Sequence, residues 1–264
     1  MTQVIVLSPG DLALAALLVL ASAGLSMLLA LRLQRPLLIA AARMVVQLLL
    51  VGFFLQRVFA ISSAWLTGAV IVAMLLAASR EVGARQERRL AGLWHYALGG
   101  LPIVAATVGI ALLALTTALK PQPWYDARHA IPLVGIVLGT VMNSASLALH
   151  HVFSTVTRER SAIEAQLALG ADRYTAFSDI ARRATRAGVL PVMNQMAAAG
   201  IITLPGIMTG QVLAGMDPME AAKYQILLMF LLASGGFLAS AGAVYLAVWR
   251  LTDERDRLRL DRLE

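Results

Sequence analysis

The 264 residues contain no cysteine, which removes disulfides, thiolate metal centres and cysteine nucleophiles from consideration. Charge is scarce at 14%, against about 25% in soluble domains, while 59% of the chain is apolar. So few charged side chains cannot supply a polar surface for a soluble core, and the solvent this composition fits is lipid. Lysine is nearly missing: Lys120 and Lys223 stand alone among 22 basic residues. Neither has the G-x-x-x-x-G-K-[ST] context of a phosphate-binding loop, so ATP use through such a motif would fall to a partner. Lys223 lies at the mouth of the last apolar run, which leaves a retinal Schiff base no attachment point near that run's centre. The apolar runs hold no Asp or Glu, and the carboxylate relay of many proton- or sodium-coupled carriers is missing with them. No internal repeat marks the chain as such a carrier either.

What is present is apolar sequence in long blocks. Dividing the chain at its charge clusters gives seven candidate spans at 12–31, 37–55, 61–79, 97–119, 131–149, 188–213 and 225–249, each near or above the roughly 20 residues a membrane-crossing helix needs. Residues 1–10 carry no positive region and the first run outlasts a signal-peptide core, so a retained span is expected there. Arginine and lysine alternate in density between successive connections. Seventeen of the 22 fall in four of them: Arg32 and Arg35, a group from Arg80 to Arg89, six between Arg158 and Arg186, and five from Arg250 to Arg262. The positive-inside rule then places the amino terminus outside and the carboxyl terminus in the cytoplasm. Trp65, Trp124 and Tyr125 fall near the outer boundary, and Trp94, Tyr96, Tyr245 and Trp249 near the inner one, as interfacial belts do. The net charge of +7 is thus a topology signal, and no nucleic-acid partner is expected. The expected fold is all-α and polytopic: a single transmembrane domain over 1–264, a cytoplasmic loop at 153–187 and a charged tail at 251–264 that reads as a solvated or surface-lying helix.

Polar residues inside the spans are the candidates for function. Arg43 lies two turns into the second span with Gln47 one turn on, either snorkelling to the interface or facing a cavity. Asn143, Ser144 and Ser146 in the fifth span, with Asn194, Gln195, Thr203, Thr209 and Gln211 in the sixth, form a polar file that either lines a path or glues helices together. Pro205 lacks an amide donor, and with Gly206, Gly210 and Gly215 it predicts a break in the sixth span. Broken backbone at membrane depth needs shielding, so that segment is expected to face the bundle interior. Asp217 and Glu220 flank Pro218, either as oxygen ligands or as the start of a helix. His150 and His151 end the fifth span and are metal ligands or interfacial residues. Methionines 193, 196, 208, 216 and 219 cluster around the sixth span as gap-fillers or soft ligands.

In the loop, Ser161 and Glu164 have capping-box spacing, which predicts a short helix with Ile163 and Leu167 on one face and Gly170 as its stop. A second helical pattern starts at Asp172. Glu164-Ala165, Gly170 and Ile180 resemble the EAA loop by which many ABC importer permeases dock on their ATPase subunits. Gln166 departs from that motif, as do Arg182 and Arg183 where it has Leu-Pro.

The run Leu204-Pro-Gly-Ile-Met-Thr-Gly-Gln-Val-Leu-Ala-Gly215 resembles the signature of the FetB-type permeases, ABC transporter membrane subunits regarded as iron exporters, with plant relatives linked to aluminium tolerance. Asp217-Pro218, Tyr224-Gln225, Glu164-Ala165, Leu169-Gly-Ala171 and Arg43-x-x-x-Gln47-Leu48 extend the resemblance. It implies a permease of a bacterial cytoplasmic membrane that exports iron, a separate ATPase subunit that holds ATP and Mg, and a permease homodimer. Docking would use Ser161, Ile163, Glu164, Ala165, Leu167 and Gly170. Another metal or a sugar nucleotide as cargo, or a non-transporting scaffold, are the alternative readings.

Overall fold

The computed structural model describes residues 8–61, 63–86, 90, 92 and 94–263, and its regular structure is helical. Six helices among the described residues are long and apolar enough to cross a membrane: α1 (Pro9–Leu28), α2 (Gln34–Ile61), α3 (Ala64–Arg85), α4 (Trp94–Leu113, prolonged by π-helical turns over Ala114–Leu119), α5 (Ala127–Arg158) and α10 (Pro218–Leu251). The expected sixth span is divided. It is built from α8 (Ser178–Ala198) and the short α9 (Gly206–Leu213), separated by a turn at 199–205. Two further short helices, α6 (Arg160–Ala168) and α7 (Arg173–Ala176), fill the expected loop.

The chain divides into two compact units, Met1–Ser62 and Ser63–Glu264. In the first, α1 begins with a capping box that sequence reading passed over: the Ser8 hydroxyl accepts from the Asp11 amide while the Asp11 carboxylate accepts from the Ser8 amide. The turn into α2 is tied to buried Ser26, whose hydroxyl accepts from the Leu33 amide at 3.0 Å. Most side chains of α2 are exposed, Arg43 and Gln47 included.

In the second unit, α5 and α10 form the spine, with α3, α4 and α8 packed around them. Val137, Val141, Ala145, Ala148, Val152 and Val156 recur at three- and four-residue spacing and are fully buried. Opposite them lie Ala239, Ala243, Val244, Ala247 and Leu251 of α10. Where this seam lies in lipid, around Val137 and Val141, it gains little from the hydrophobic effect, and close packing of small residues holds it instead. A Cβ on Gly188 of α8 would stand 2.5 Å from the Ser144 carbonyl oxygen and 2.4 Å from the Ser240 hydroxyl. Gly188 therefore marks the point where α5, α8 and α10 come closest.

α5 corrects the expected boundaries. With 32 residues it is ~48 Å long, well beyond the ~30 Å hydrocarbon layer. Its Asn143 bonds to Arg85 at the arginine-rich end of α3, so the 15 residues after Asn143 project past that level. His150 and His151 consequently sit within a continuing helix rather than at the end of a span. The tail is corrected too. It is not one continuous helix: after Leu251 the backbone becomes extended at Thr252, Asp253 accepts from the Arg255 and Arg257 amides, closing a turn, and a 3-10 turn follows at Leu260–Arg262. Leu258, Leu260 and Leu263 then pack onto the core, which is why leucines at helical spacing do not make an α-helix here.

Candidate functional site

At the arginine-rich end, α6 follows α5 directly through Glu159, and this corrects the expected capping box. Ser161 is the second residue of the helix and caps nothing, while Glu164 accepts from the Arg160 guanidinium four residues back at 2.8 Å. The junction is fixed from the other side, because Glu159 also accepts from Arg183 of α8 at 2.8 Å. The stop is as expected. Gly170 has φ +92°, and the Gly170 and Ala171 amides donate to the Leu167 and Gln166 carbonyls at 3.1 Å each, closing a Schellman motif that only glycine adopts without strain.

Within α6 the candidate docking residues part company. Ile163 is buried and Leu167 packs on the core, so this face anchors the helix to its own domain. Ser161, Glu164, Ala165 and Gly170 face solvent together with Leu169, which is 88% exposed. Next in the chain, the Asp172 carboxylate accepts from the Tyr174 and Thr175 amides and starts α7; these bonds and that of the Thr175 hydroxyl hold its pKa below the usual carboxylate range. The helical pattern from Asp172 is realised in two pieces, interrupted at Phe177.

The break in the expected sixth span is real, and it lies on the surface rather than inside the bundle. Ala199 is extended, Gly200 has φ +83°, and Pro205 caps α9 with its own extended backbone. Ile201 and Ile202 are 90% and 79% exposed. The interior is already filled by α5 and α10, and the turn largely satisfies itself. The Ala198 carbonyl accepts from the Ile201, Ile202 and Thr203 amides at 2.9–3.4 Å, and the Thr203 carbonyl accepts from Gly200 at 2.9 Å. α9 ends in a second Schellman motif at Gly215.

The residues read as one polar file are not brought together. Asn143 is exposed and engaged by Arg85, whereas Ser144 is buried at the α5–α8–α10 crossing. Asn194 and Gln195 are exposed on α8, next to exposed Met193 and Met196. Thr203 is exposed, Gly206 opens α9 to solvent, and the half-buried Thr209 donates back to the Pro205 carbonyl. Gln211 differs: its Oε1 is buried without a hydrogen-bond partner among the described residues. Asp217 caps α10 through the Met219 and Glu220 amides, and Glu220 accepts from Lys223 at 2.7 Å. His150 is exposed, and the half-buried His151 has an Nε2 without a hydrogen-bond partner among the described residues. No group of three or more His, Asp or Glu is arranged to hold a metal among the described residues.

Sequence reasoning missed one feature. The tail turn, the end of α10 and Arg173 of α7 line a half-open cavity of about 660 Å³. Arg173 reaches Asp256 and donates to the Asp253 carbonyl at 2.8 Å, clamping the tail to α7. Asp261 is drawn down to about 2 by its two bonds from Arg259, and backbone bonds from Arg257 and Arg255 hold Asp253 low. The alternation of Arg and Asp in the tail was the available signal.

Six long apolar helices and a surface exposing leucine and isoleucine along its length define an integral membrane protein of the polytopic α-helical class. The chain belongs to the uncharacterised protein family UPF0014, whose profile matches residues 9–251. It is 38% identical over 224 residues to "UPF0014 membrane protein slr1647" of Synechocystis, covering 83% of this chain and 84% of the relative. It is 28% identical over 255 residues to the Escherichia coli protein "Probable iron export permease protein FetB", covering 96% of each chain. It is 33% identical over 215 residues to "UPF0014 membrane protein STAR2" of rice, covering 81% of this chain and 73% of the relative. The family resemblance read from the motif at 204–215 holds. No solved structure matches the chain.

Proposed function

We propose that this chain is the membrane subunit of an ABC-type exporter that moves iron out of the bacterial cytoplasm, driven by ATP hydrolysed on Mg in a separate subunit. The observation that carries the reading is α6. It is anchored through Ile163 and Leu167, stopped by Gly170, and offers Glu164, Ala165 and Leu169 outward at the arginine-rich end. That geometry suits a helix that transmits force to a partner, since the same residues that hold it rigid leave its other face free. The likeness over 96% of each chain to a relative named as a probable iron export permease supports this cargo and direction.

A second copy of the chain completes the path in this reading. Asn194 and Gln195 are polar side chains exposed on α8, and the turn at 199–205 likewise presents irregular backbone, both of which are costly where they meet lipid. Covering both against a homodimer partner shields them and leaves a polar passage near Thr203, Pro205, Gly206, Thr209 and Gln211. Arg43 and Gln47 on α2 are further path candidates. Asp217, Glu220, His150 and His151 would act as transient oxygen and nitrogen ligands, weak enough to release the ion.

The test is reconstitution of the chain with its ATPase subunit in vesicles. Iron-stimulated ATP hydrolysis and ATP-dependent movement of iron into inside-out vesicles are expected. Stable association with the ATPase but no response to iron would reassign the cargo, and failure of the chain to bind any ABC ATPase would remove the transporter reading.

A further inference from the structure

The half-open cavity of about 660 Å³ lined by the tail has a charge that its own residues do not balance. Five arginines line it, at 173, 250, 255, 257 and 262, against the carboxylates Asp253 and Glu254. Asp253 is already taken by Arg257 at 2.8 Å, and Arg173 by Asp256 outside the lining. Three guanidinium groups remain. Arg262 is held by the Arg250 and Thr252 carbonyls at 2.7 and 3.2 Å, so it makes no ion pair. The Arg255 side chain has no partner among the described residues. Arg250 stacks 4.9 Å over the Trp94 ring, and its Nε is buried with no acceptor among the described residues.

Arg250, Arg255 and Arg262 thus stand on one wall without an ion pair among the described residues, against the single remaining carboxylate Glu254, and the partner that such a wall suits is an anion with several acceptor oxygens. Phosphate matches: guanidinium forks bind its oxygens in pairs, and the stacking of Arg250 on Trp94 pre-orients one fork. The location adds a source. Trp94 and Trp249 meet at 5.5 Å at the end of α10, where interfacial aromatics sit, and clusters of arginine just beyond a spanning helix attract anionic headgroups.

We propose that this cavity is a binding site for a phosphate oxyanion, supplied by an anionic phospholipid headgroup or by a soluble phosphate compound. Its occupancy ties the tail to the end of α10. Because Arg173 couples the tail to α7, two residues past the Gly170–Ala171 stop of α6, the same anion orders the segment beside α6. The inference is independent of the proposed cargo.

The test uses the full chain in nanodiscs of phosphatidylcholine alone or with one-third phosphatidylglycerol, and in phosphatidylcholine discs with added inorganic phosphate or pyrophosphate. Native mass spectrometry counts bound phosphatidylglycerol, and thermal unfolding reports stabilisation. Arg250→Gln and the exposed Arg255→Gln are compared with Arg182→Gln, which lies outside the cavity and pairs with Asp179. The expected result is a stabilising response in at least one phosphate arm, weakened about tenfold in apparent affinity by each cavity variant and unchanged in Arg182→Gln. The phosphatidylglycerol arm alone identifies a lipid, and the soluble arms identify a free phosphate ligand. No response in any arm, or equal loss in Arg182→Gln, overturns the site. Should Arg250→Gln not fold, Arg255→Gln alone decides.

Discussion

The guanidinium of Arg85, the last residue of α3, donates to the side-chain oxygen of Asn143 on α5 at 3.0 Å, across 58 positions of sequence. Beside it the Gln86 amide donates to the Ser146 carbonyl and hydroxyl at 3.2 and 3.3 Å. Together they latch the arginine-rich end of α3 to the middle of α5 and place Asn143 level with a basic boundary rather than deep in a span.

Replacing Asn143 by leucine should therefore act on stability and spare transport. The bond is exposed, so its loss costs about 1 kcal/mol at most. Thermal unfolding in detergent and iron efflux from vesicles measure the two effects. A folded variant with abolished efflux would return Asn143 to the translocation path.

α6 offers a cleaner separation of fold from partner. Ile163→Ala removes a side chain that is 2% exposed, and a loss of about 2–5 kcal/mol is expected. Glu164→Gln gives up only an exposed pair with Arg160 and should leave stability within about 0.5 kcal/mol. ATPase stimulation by the reconstituted complex should fall in Glu164→Gln nonetheless. If stimulation is untouched there, the outward face of α6 is not the docking face.

Much of this was readable in the residues. The apolar runs, the break before Pro205 and the Gly170 stop each follow from a local rule about backbone or solvent, and such rules survive folding. The misreadings share another cause. Ser161 and Glu164 have the spacing of a cap, but capping needs a helix that starts there, and α5 runs on to Glu159 with no gap for a new start. Tail leucines have helical spacing, but the Asp253 carboxylate captures two backbone amides and turns the chain back. Asn143 and Asn194 share composition without sharing a place, since only tertiary packing decides which helix faces meet.

Packing at the α5–α8–α10 crossing gives a matched pair of substitutions. Gly188→Ala forces a methyl against the Ser144 carbonyl, a backbone atom that cannot swing aside, and should destabilise by about 1–3 kcal/mol. Gly210→Ala, on α9, meets nothing within 4 Å and should stabilise its helix by up to about 1 kcal/mol. Denaturation midpoints of the two variants, moving in opposite directions, check this; a neutral Gly188→Ala would mean that the three helices separate readily.

The turn at 199–205 is the sharpest test of whether the broken helix serves transport or packing. Gly200 has φ +83°, and a Cβ there meets open space, so Gly200→Ala carries a purely conformational penalty of about 1–2 kcal/mol. That penalty acts on a segment whose Ile201 and Ile202 side chains are largely exposed, which leaves little core to disturb. Global stability should thus change little, while the arrangement in which the Ala198 carbonyl gathers three amides is weakened. If the turn lines the passage between two copies, Gly200→Ala should lower ATP-driven efflux severalfold with ATPase association intact, because α6 is untouched. Gly210→Ala serves as the control, since it changes a neighbouring glycine without opposing its backbone geometry. Equal efflux in both variants would make the turn a packing device only, and the passage would then have to be sought along α2 at Arg43 and Gln47.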